Sequence, residues 1–482
     1  MIARGSIGTG IALAALVGGC AVGPNYHPPT PPAGAESPLV SVNPSAESVS
    51  QPPDDWWRLY DDAELDGLVQ RAFTNNEDLA VAEANLSAAR ASLENARNGL
   101  YPQTNIGLGA IRGRDPTVNE ILEFSGQKPR TFWLYDDILD VSYELDLFGR
   151  VRRTLQAARA DAQAAIAARD SVKITVAAET TRAYAEVCDL GEELAVARRS
   201  VDVVTREADI FARRLQAGGG SEFDLVRAQQ LVAQARASIP PLEGQRRAAL
   251  FQLTALVGQT PSHAPFEAEA CVTPPRLSTL VPVGDGASLL RRRPDVRLAE
   301  RRLAAATARV GVATADLYPQ ISLTAFYGGG APQLFQLPRT YGLIWGVGPK
   351  ISWTFPNQAG VRARIHFASA QSDAALAGFD STVLQALKET EQSLTTYGAE
   401  LNHRQALADA QAKAQRALDM ADGQLRDGAA SPLDVLTSEQ TLVAADAAVA
   451  ASNSALAEDQ IAVFKALGGG WASPSPPRAA GK

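Results

Sequence analysis

The stretch Ile138–Phe148, with the sequence ILDVSYELDLF, alternates apolar and polar residues from Leu139 onward. Successive side chains of a strand point to opposite sides, so the alternation predicts a strand with one apolar and one acidic face. The apolar face carries Leu139, Val141, Tyr143, Leu145 and Leu147, and the opposite face carries Asp140, Ser142, Glu144 and Asp146. Such a pattern is typical of a half-buried soluble sheet and also of a membrane-spanning strand.

After Gly149 the periodicity becomes helical and predicts a long helix over 151–216. At 1.5 Å per residue, such a helix would be about 100 Å long. Its last part repeats apolar residues at alternating spacings of four and three, which is typical of helices packed as a left-handed coil. These residues are Ala183, Val187, Leu190, Leu194, Ala197, Val201, Val204, Ala208, Phe211 and Leu215. Gly218–Gly220 end this helix, and a return helix over 222–258 completes a hairpin.

Composition excludes several classes of protein. The chain has 482 residues and a formal net charge of −8, which argues against a protein that binds nucleic acid through its phosphates. Its four histidines and three cysteines do not cluster, and no Ser or Cys lies in a nucleophile motif. We therefore expect no catalytic residues, no metal, no cofactor and no nucleic-acid partner, and we do not expect an enzyme.

Residues 1–19 have the pattern of an export signal, with Arg4 before an apolar core, Ile11–Val17, that is too short to span a bilayer. Small residues directly before Cys20 resemble the bacterial lipobox, which implies that Cys20 becomes the lipidated N-terminus. The alternatives are an uncleaved anchor and a chance cysteine after an ordinary signal. Residues 20–53 are rich in Pro, Ser and Ala, which predicts an extended tether that buries no core.

The rest of the chain contains one architectural unit twice. The sequence GSEFDLV at 220–226 matches ASPLDVL at 430–436, and LYPQ occurs at both 100–103 and 317–320. Two similar halves indicate a duplicated unit rather than two unrelated domains. Pro240 and Pro241 interrupt only the first return helix, so we expect a break there and approximate symmetry between the halves.

The first repeat is assigned to 54–270, with a helix over 63–98, strands over 104–111 and 138–148 joined by a loop, the long helix 151–216 and the return helix 222–258. A linker over 271–286 follows. The second repeat is assigned to 287–469, with a helix over 287–316, strands over 320–327 and 343–355, a long helix over 361–427 and a return helix over 432–468. Residues 470–482 are expected to form a disordered tail.

Four predicted strands per chain are too few to close a membrane barrel. A strand in lipid needs every backbone group paired, so it must belong to a closed barrel, and bacterial barrels begin at eight strands. If the strands cross a membrane, the chain must therefore oligomerise to give eight, twelve or sixteen strands. The alternative is an ordinary soluble sheet with one buried face, which the long helices and the export signal disfavour.

Several motifs carry a family resemblance. They are Trp56-Trp57, the two LYPQ segments, ELDLFGR at 144–150 and RRRPDV at 291–296. Together they resemble the outer-membrane efflux ducts, closest to the lipoprotein (NodT- and OprM-like) branch of the TolC-like superfamily. The resemblance implies a mainly α fold with transmembrane β strands, a homotrimer, and a twelve-stranded barrel in outer-membrane lipid that continues into a periplasmic α-helical barrel.

The resemblance also implies a function. It implies a lipid-anchored outer-membrane channel of a tripartite efflux pump, a passive duct for small molecules. Its partners would be a periplasmic adaptor protein and an inner-membrane pump of the resistance–nodulation–division type. A second hypothesis is a structural or adhesive coiled-coil stalk anchored by a barrel. Strands that occur twice in mid-chain, with short external loops, favour the duct.

The helical tips, 216–226 and 425–437, are the candidate gate. In the resembling family, rings of carboxylates and apolar side chains close the periplasmic entrance there, which implies roles for Asp434, its first-half counterpart Asp224, and Leu433. Thr437 and Ala430 depart from the family pattern, so a second carboxylate ring and an arginine lock are not expected. N-capping is an alternative role for both aspartates, because carboxylates are favoured near helix starts.

Asp140, Glu144 and Asp146 are a second candidate set. If the apolar face of the strand meets lipid, these three carboxylates line the lumen of the channel, and their field would favour cations. The alternative is a wet surface without selectivity. Cys188 and Cys271 could pair in an exported protein, but nothing in the sequence shows that they meet.

Overall fold

The structure is a computed structural model that describes residues 21–114, 116–277, 279–337 and 343–469. The predicted signal segment 1–19, Cys20 and residues 470–482 lie outside the described residues. The helices are α1 (Ala63–Asn75), α2 (Glu77–Asn98), α3 (Pro116–Phe124), α4 (Arg150–Gln216), α5 (Glu222–Ala237), α6 (Ile239–Leu256), α7 (Gly286–Arg292), α8 (Pro294–Ala315), α9 (Ala359–Arg426) and α10 (Pro432–Ala466). The strands are β1 (Glu47–Ser48), β2 (Gln103–Gly113), β3 (Phe132–Leu145), β4 (Val281–Pro282), β5 (Gln320–Ala331) and β6 (Leu343–Ser352).

The chain divides into two compact units, which are described separately. Unit 1 comprises the described residues of Met1–Pro29, Leu86–Ala165 and Ala299–Phe379, and it contains the four long strands. Unit 2 comprises the described residues of Thr30–Asn85, Ile166–Leu298 and Asp380–Lys482, and it contains the tips of the helical hairpins.

The sheet of unit 1 is antiparallel, with the order β2-β3-β5-β6. Directly opposed residues of antiparallel strands share a face, and the register places Ile106, Leu139, Tyr327 and Trp345 in one row across all four strands. Ile106 and Trp345 are each 70% exposed, so the described part of the chain leaves these side chains of the apolar face uncovered. Within the described residues, β2 and β6 each pair along one side only.

The strand boundaries correct the sequence analysis. β3 begins at Phe132, six residues before the predicted start, because the aromatic run Phe132–Tyr135 suits a pleated surface and pairs with β2. It ends at Leu145, so Asp146 and Leu147 are not part of the strand. β6 ends at Ser352 rather than at 355, because its partner β5 begins opposite, at Gln320, directly after a proline.

The connection predicted as a loop over 112–137 contains α3 as well as the first part of β3. Proline at the first helical position is compatible with a helix, because the N–H that it lacks has no partner inside the helix at that position. Pro116 therefore starts α3 instead of marking a loop.

The helices of unit 2 bury the predicted apolar stripe. α4 has 67 residues and α9 has 68, and each begins and ends within two residues of its predicted bounds. Val187 is fully buried, and seven of the ten stripe residues fall below a tenth exposure. Trp56 stacks on Phe464 at 4.8 Å between ring centroids, in a core with Leu394 and Ile461. Among the described residues, no helix has both the length and the apolar character needed to cross a membrane.

Three helices that the periodicity predicts as continuous are broken in the structure. The segment 63–98 breaks at Asn76, whose amide donates to the Leu256 carbonyl and whose Oδ1 accepts from the Leu79 N–H. The segment 287–316 breaks at Arg293, which is extended because Pro294 follows. The first return helix breaks at Ser238, beside the two prolines, whereas α10 runs unbroken for 35 residues.

The described part of the predicted tether, 21–53, is extended, but it is not a free tether. Leu39 is buried in the core of unit 2, and β1 pairs in parallel with β4. Arg292 donates to the carbonyls of Pro52 and Pro53. The prediction that this segment buries no core was wrong, because an extended chain of small residues leaves its backbone carbonyls open to guanidinium donors from the folded body.

A disulfide joins Cys188 of α4 to Cys271, with 4.8 Å between their Cα atoms. The bridged positions are 83 residues apart in sequence. The bond therefore encloses the hairpin formed by the part of α4 that follows Cys188 and by α5 and α6. Beside it, Arg246 donates to the carbonyls of Val187, Glu269 and Cys271. The base of the first hairpin is thus held by the disulfide and by the Arg246 guanidinium, which donates to carbonyls on both sides of it.

We predict that replacing both Cys188 and Cys271 by alanine lowers the free energy of unfolding by about 2–4 kcal/mol, because the cross-link restricts the unfolded chain. Denaturant unfolding of the oxidised protein and the double variant measures the difference. In the oxidised protein, thiol titration should find neither cysteine free; two free thiols would contradict the bridge.

Candidate functional site

The tip of the first hairpin is a glycine turn between α4 and α5. Gly218 has φ +77°, a left-handed conformation that glycine adopts without strain, and the Gly219 N–H donates to the Arg214 carbonyl at 3.0 Å. Ser221 then caps α5 by accepting from the Phe223 N–H at 3.1 Å. The turn is therefore tight, and its first helical residues are exposed.

The second tip repeats this design with different residues. Gly428 has φ +72°, and the Ala429 N–H donates to the Gln424 carbonyl at 2.8 Å. Ser431 caps α10 by accepting from the Asp434 N–H at 3.3 Å. Both hairpins thus turn on a left-handed glycine followed by a serine cap.

Asp434 completes a capping box. Its Oδ2 accepts from the Ser431 N–H at 2.8 Å and from the Ser431 hydroxyl at 2.7 Å. These two hydrogen bonds lower the pKa of Asp434, so the carboxylate is charged at neutral pH. The structure places Asp434 in the capping role that the sequence offered as the alternative, and the same contacts fix a charge at the tip.

Asp224 occupies the corresponding position of α5 without the same contacts. Ser221 uses its hydroxyl oxygen to accept from the Phe223 N–H, one residue earlier in the helix than in α10. Within the described residues, the carboxylate of Asp224 has no hydrogen bond to Ser221. The carboxylate of Asp434 is therefore hydrogen-bonded to its capping serine, whereas the carboxylate of Asp224 is not.

The apolar candidates of the tips are exposed. Leu433 is 39% exposed, and Phe223, its counterpart in the first half, is 72% exposed. Phe223 was missed by the sequence analysis, although the match of 220–226 to 430–436 pairs it with Leu433. Phe223 is thus an exposed aromatic side chain in the first turn of α5, at the position that matches Leu433.

A carboxylate cluster beside the tip was also missed. Glu439 of α10 is half-buried near Glu207 of α4 and Asp422 of α9, and its Oε2 has no hydrogen-bond partner. Burial and then these two carboxylates raise the pKa of Glu439 to about 7. Burial, followed by Asp422, also raises the pKa of Glu207. Three helices thus meet at a site that favours a proton.

The predicted lumen carboxylates differ from one another in the structure. Glu144 forms an ion pair with Arg150, and Asp146 accepts from the Arg152 N–H at 3.0 Å and from its Nε at 3.1 Å. Asp146 therefore caps the start of α4 and does not line a strand face, which corrects its assignment. Two arginines offset two of the three charges, and Asp140 remains exposed beside Asn105 and Phe326.

Asp136 adds to this face. It lies four residues before Asp140 on β3, with even spacing, so it shares the polar face. Asp136 was not predicted from the sequence, because the strand was expected to begin at 138. Among the described residues, no group of three or more His, Cys, Asp or Glu could hold a metal ion.

Comparisons with known proteins agree on one family. The family model described as outer membrane efflux protein matches residues 68–259 and 287–469, one segment in each half. The pyoverdine export outer membrane protein OpmQ of Pseudomonas putida KT2440 is 31% identical over 462 residues, covering 94% of this chain and 95% of that protein. Nodulation protein T of Rhizobium leguminosarum bv. viciae is 28% identical over 467 residues, covering 95% and 92%.

A solved structure extends this likeness to the fold. The outer-membrane channel OprN has a TM-score of 0.86 to this chain at 33% sequence identity. The match covers 94% of this chain and 100% of that chain.

We predict that protonation of Glu439 stabilises the first hairpin tip against α9 and α10. The folded pKa lies above the unfolded value, so this stabilisation is complete below about pH 4.5 and is lost as the pH rises through about 7. Because Glu439 is only half-buried, the loss is on the order of 1 kcal/mol. Hydrogen exchange of the tip segments, corrected for intrinsic rates, should show more opening at pH 8 than at pH 5.5.

In Glu439→Gln this pH dependence should be flattened, whereas Glu222→Gln, at an exposed glutamate of the same tip, should keep it. Equal pH dependence in the wild type and in Glu439→Gln would contradict the prediction.

Proposed function

The chain belongs to the outer membrane efflux protein family and is an outer-membrane channel of an efflux pump, and on this premise we propose that three copies form one passive duct. In this proposal the three four-stranded sheets close into a twelve-stranded barrel in the outer membrane. The helices of the three copies form a periplasmic α-helical barrel. The duct carries no catalytic step, and transport energy comes from the inner-membrane pump.

One observation carries this proposal: the sheet of a single chain has two open edges and an exposed apolar face. Open edges cannot remain unpaired in hydrocarbon, because each unpaired backbone group there costs several kcal/mol. β2 of one copy pairing with β6 of the next removes every edge at once. The row Ile106, Leu139, Tyr327 and Trp345 then faces lipid on all sides.

The polar face of the same sheet then lines the lumen. Asp140 and Asp136 contribute unpaired carboxylates there, while Glu144 is offset by Arg150. On the same face Lys350 lies in one row with Ser322 and Glu144. We propose a mild cation preference in this part of the duct, weaker than three free carboxylates per chain would give.

The lipid anchor is proposed at Cys20. Ala21, the first described residue, lies against Gly149, where a Cβ would come within 2.6 Å of the Ala21 Cα. Gly149 stands between β3 and α4, at the point where the proposed barrel meets the helices. Acyl chains on Cys20 would therefore enter the leaflet that surrounds the lower rim of the barrel.

The partners of the duct are proposed to be a periplasmic adaptor and an inner-membrane pump of the resistance–nodulation–division type. The length of the helices supports this, because 67 residues of α-helix extend about 100 Å and can bridge to proteins anchored in another membrane. Cargo would be selected by the pump. An adhesive stalk, in contrast, needs a large external passenger, and the β5–β6 connection covers only 332–342.

The gate is proposed at the hairpin tips. Three copies of Asp434 around one axis would form a ring of fixed negative charge that repels anions. Leu433 and Phe223 would narrow the same periplasmic opening. Asp224 would supply a second carboxylate, which is not hydrogen-bonded to its capping serine. The capping box supports this role, because it holds the Asp434 carboxylate in one geometry in each copy.

A prediction separates the gate from the cap. Asp434→Asn removes the charge and keeps an oxygen that can accept from Ser431, whereas Asp434→Ala removes both and costs about 1 kcal/mol of helix stability. If the charge closes the gate, both variants raise the conductance of the purified channel in a planar bilayer by about twofold or more and reduce its cation preference.

Asp409→Asn, at an exposed position of α9 away from the tip, should leave conductance unchanged. If Asp434→Asn behaves as the wild type and only Asp434→Ala differs, then Asp434 is a helix cap and the gate lies elsewhere.

A further inference from the structure

The segment Ala21–Pro29 is held to the start of α4 by one arginine. The Val22 N–H donates to the Phe148 carbonyl at 3.1 Å. Arg153, which is buried, donates to the carbonyls of Val22 and Gly23, each at 3.2 Å, and to Asn25 Oδ1 at 2.8 Å. The path of the chain directly after Cys20 is therefore fixed against the helix.

Beneath this segment lies a cavity of about 350 Å³ between α4 and α8. Its polar lining consists mainly of Tyr26, Arg153, Gln156, Arg159, Gln163 and Arg301. The volume is at the lower end of the range for small-molecule sites. Three guanidinium groups line this small cavity, so it favours an anionic ligand.

The charges around the cavity do not cancel. Glu300 pairs with Arg301 and accepts from the Tyr26 hydroxyl, and the Arg301 guanidinium lies 5.6 Å from the centre of the Tyr26 ring. Asp161, on the same stretch of α4, is paired with Arg309 at 2.5 Å. Arg153 and Arg159 therefore leave a net charge of +2, because Arg301 and Glu300 offset each other.

Within the described residues, the open donors of the cavity include one guanidinium and the amides of two glutamines. Arg159 has no hydrogen bond or ion pair in the part of the chain that the structure describes, and it is exposed. Gln156 Oε1 accepts from Arg153 and Gln163 Oε1 accepts from Arg301, each at 3.0 Å. The amide N–H groups of both glutamines are consequently free to donate to a ligand.

The position of the cavity limits what can reach it. Asn25 and Tyr26 follow Cys20 by five and six residues, so the cavity lies within about 20 Å of the lipid attachment point. Side chains of a helix point toward its N-terminus, so Arg159 points back toward the end of β3. The headgroup layer of the surrounding leaflet is the nearest source of anions.

We propose that this cavity binds the phosphodiester headgroup of an anionic phospholipid of the periplasmic leaflet, with Arg159 as the charged contact and Gln156 and Gln163 as amide donors. The site requires the outer-membrane placement proposed above. Guanidinium and amide groups match the oxygens of phosphate in number and geometry. Free phosphate shares this chemistry, and the experiment separates the two sources.

The test uses the full-length trimer in detergent and three probes: a short-chain phosphatidylglycerol, the matching phosphatidylcholine and inorganic phosphate. Titration calorimetry should show that phosphatidylglycerol binds more tightly than the other two. Arg159→Gln should weaken its binding about tenfold, since it removes a charge-assisted hydrogen bond. Arg302→Gln, at the exposed residue next to Arg301 but outside the cavity, should change binding less than about twofold.

Phosphatidylcholine binding as tightly as phosphatidylglycerol, or equal losses in Arg159→Gln and Arg302→Gln, would overturn the site. Inorganic phosphate binding as tightly as phosphatidylglycerol, with the same dependence on Arg159, would overturn the lipid as the source of the phosphate. Conductance in a planar bilayer is measured on both variants. Conductance of the wild type is recorded beside them. If the wild type conducts but does not bind phosphatidylglycerol, this inference alone is refuted. If the wild type shows no conductance, the proposed duct is refuted.

Discussion

Unpaired backbone groups at the two edges of a four-stranded sheet are the constraint from which the rest of the molecule follows. In water such edges attract other strands, and in hydrocarbon they are not tolerated. The row from Ile106 to Trp345 is apolar, and the proposed placement of this sheet in lipid requires that its edges be closed by other copies of the chain. In the proposed trimer, the helices that follow β3 and β6 of each copy would then surround a common axis.

The two halves differ at the base, along the return helix and at the tip of their hairpins. The first hairpin is closed at its base by Cys188–Cys271 and broken at Ser238, whereas α10 in the second runs unbroken. At the tips, Asp434 is tied into a capping box and Asp224 is not. The two hairpins therefore differ in the continuity of their return helices and in the hydrogen bonds of their tip carboxylates.

Sequence periodicity predicted the long elements because their residues repeat locally. α4 and α9 begin and end within two residues of the predicted bounds, and the family resemblance was confirmed by the family match and the structural likeness. Asp434 and Leu433 were placed at the tip by the family resemblance, and Asp224 by the match between the two halves. Their roles in a gate stay predictions, as does the lipid on Cys20.

The features that the sequence did not predict depend on contacts between residues far apart in the chain, and no local sequence pattern indicates such contacts. The docking of 21–53 depends on Arg153 and Arg292, and the raised pKa of Glu439 results first from its burial and then from Glu207 and Asp422 on two other helices. Asp146 has the spacing of a strand residue, yet the start of α4 takes it as a cap. Alternation alone could not distinguish a carboxylate that lines a face from one that ends a strand.

The central claim is that three chains make one closed sheet, and the number of chains in the membrane-extracted protein tests it most directly. Native mass spectrometry of the full-length protein, released from its detergent micelle, counts them. The account predicts a complex of three copies and no stable monomer, because a single chain leaves both β2 and β6 open. A folded monomer with its sheet intact would contradict it.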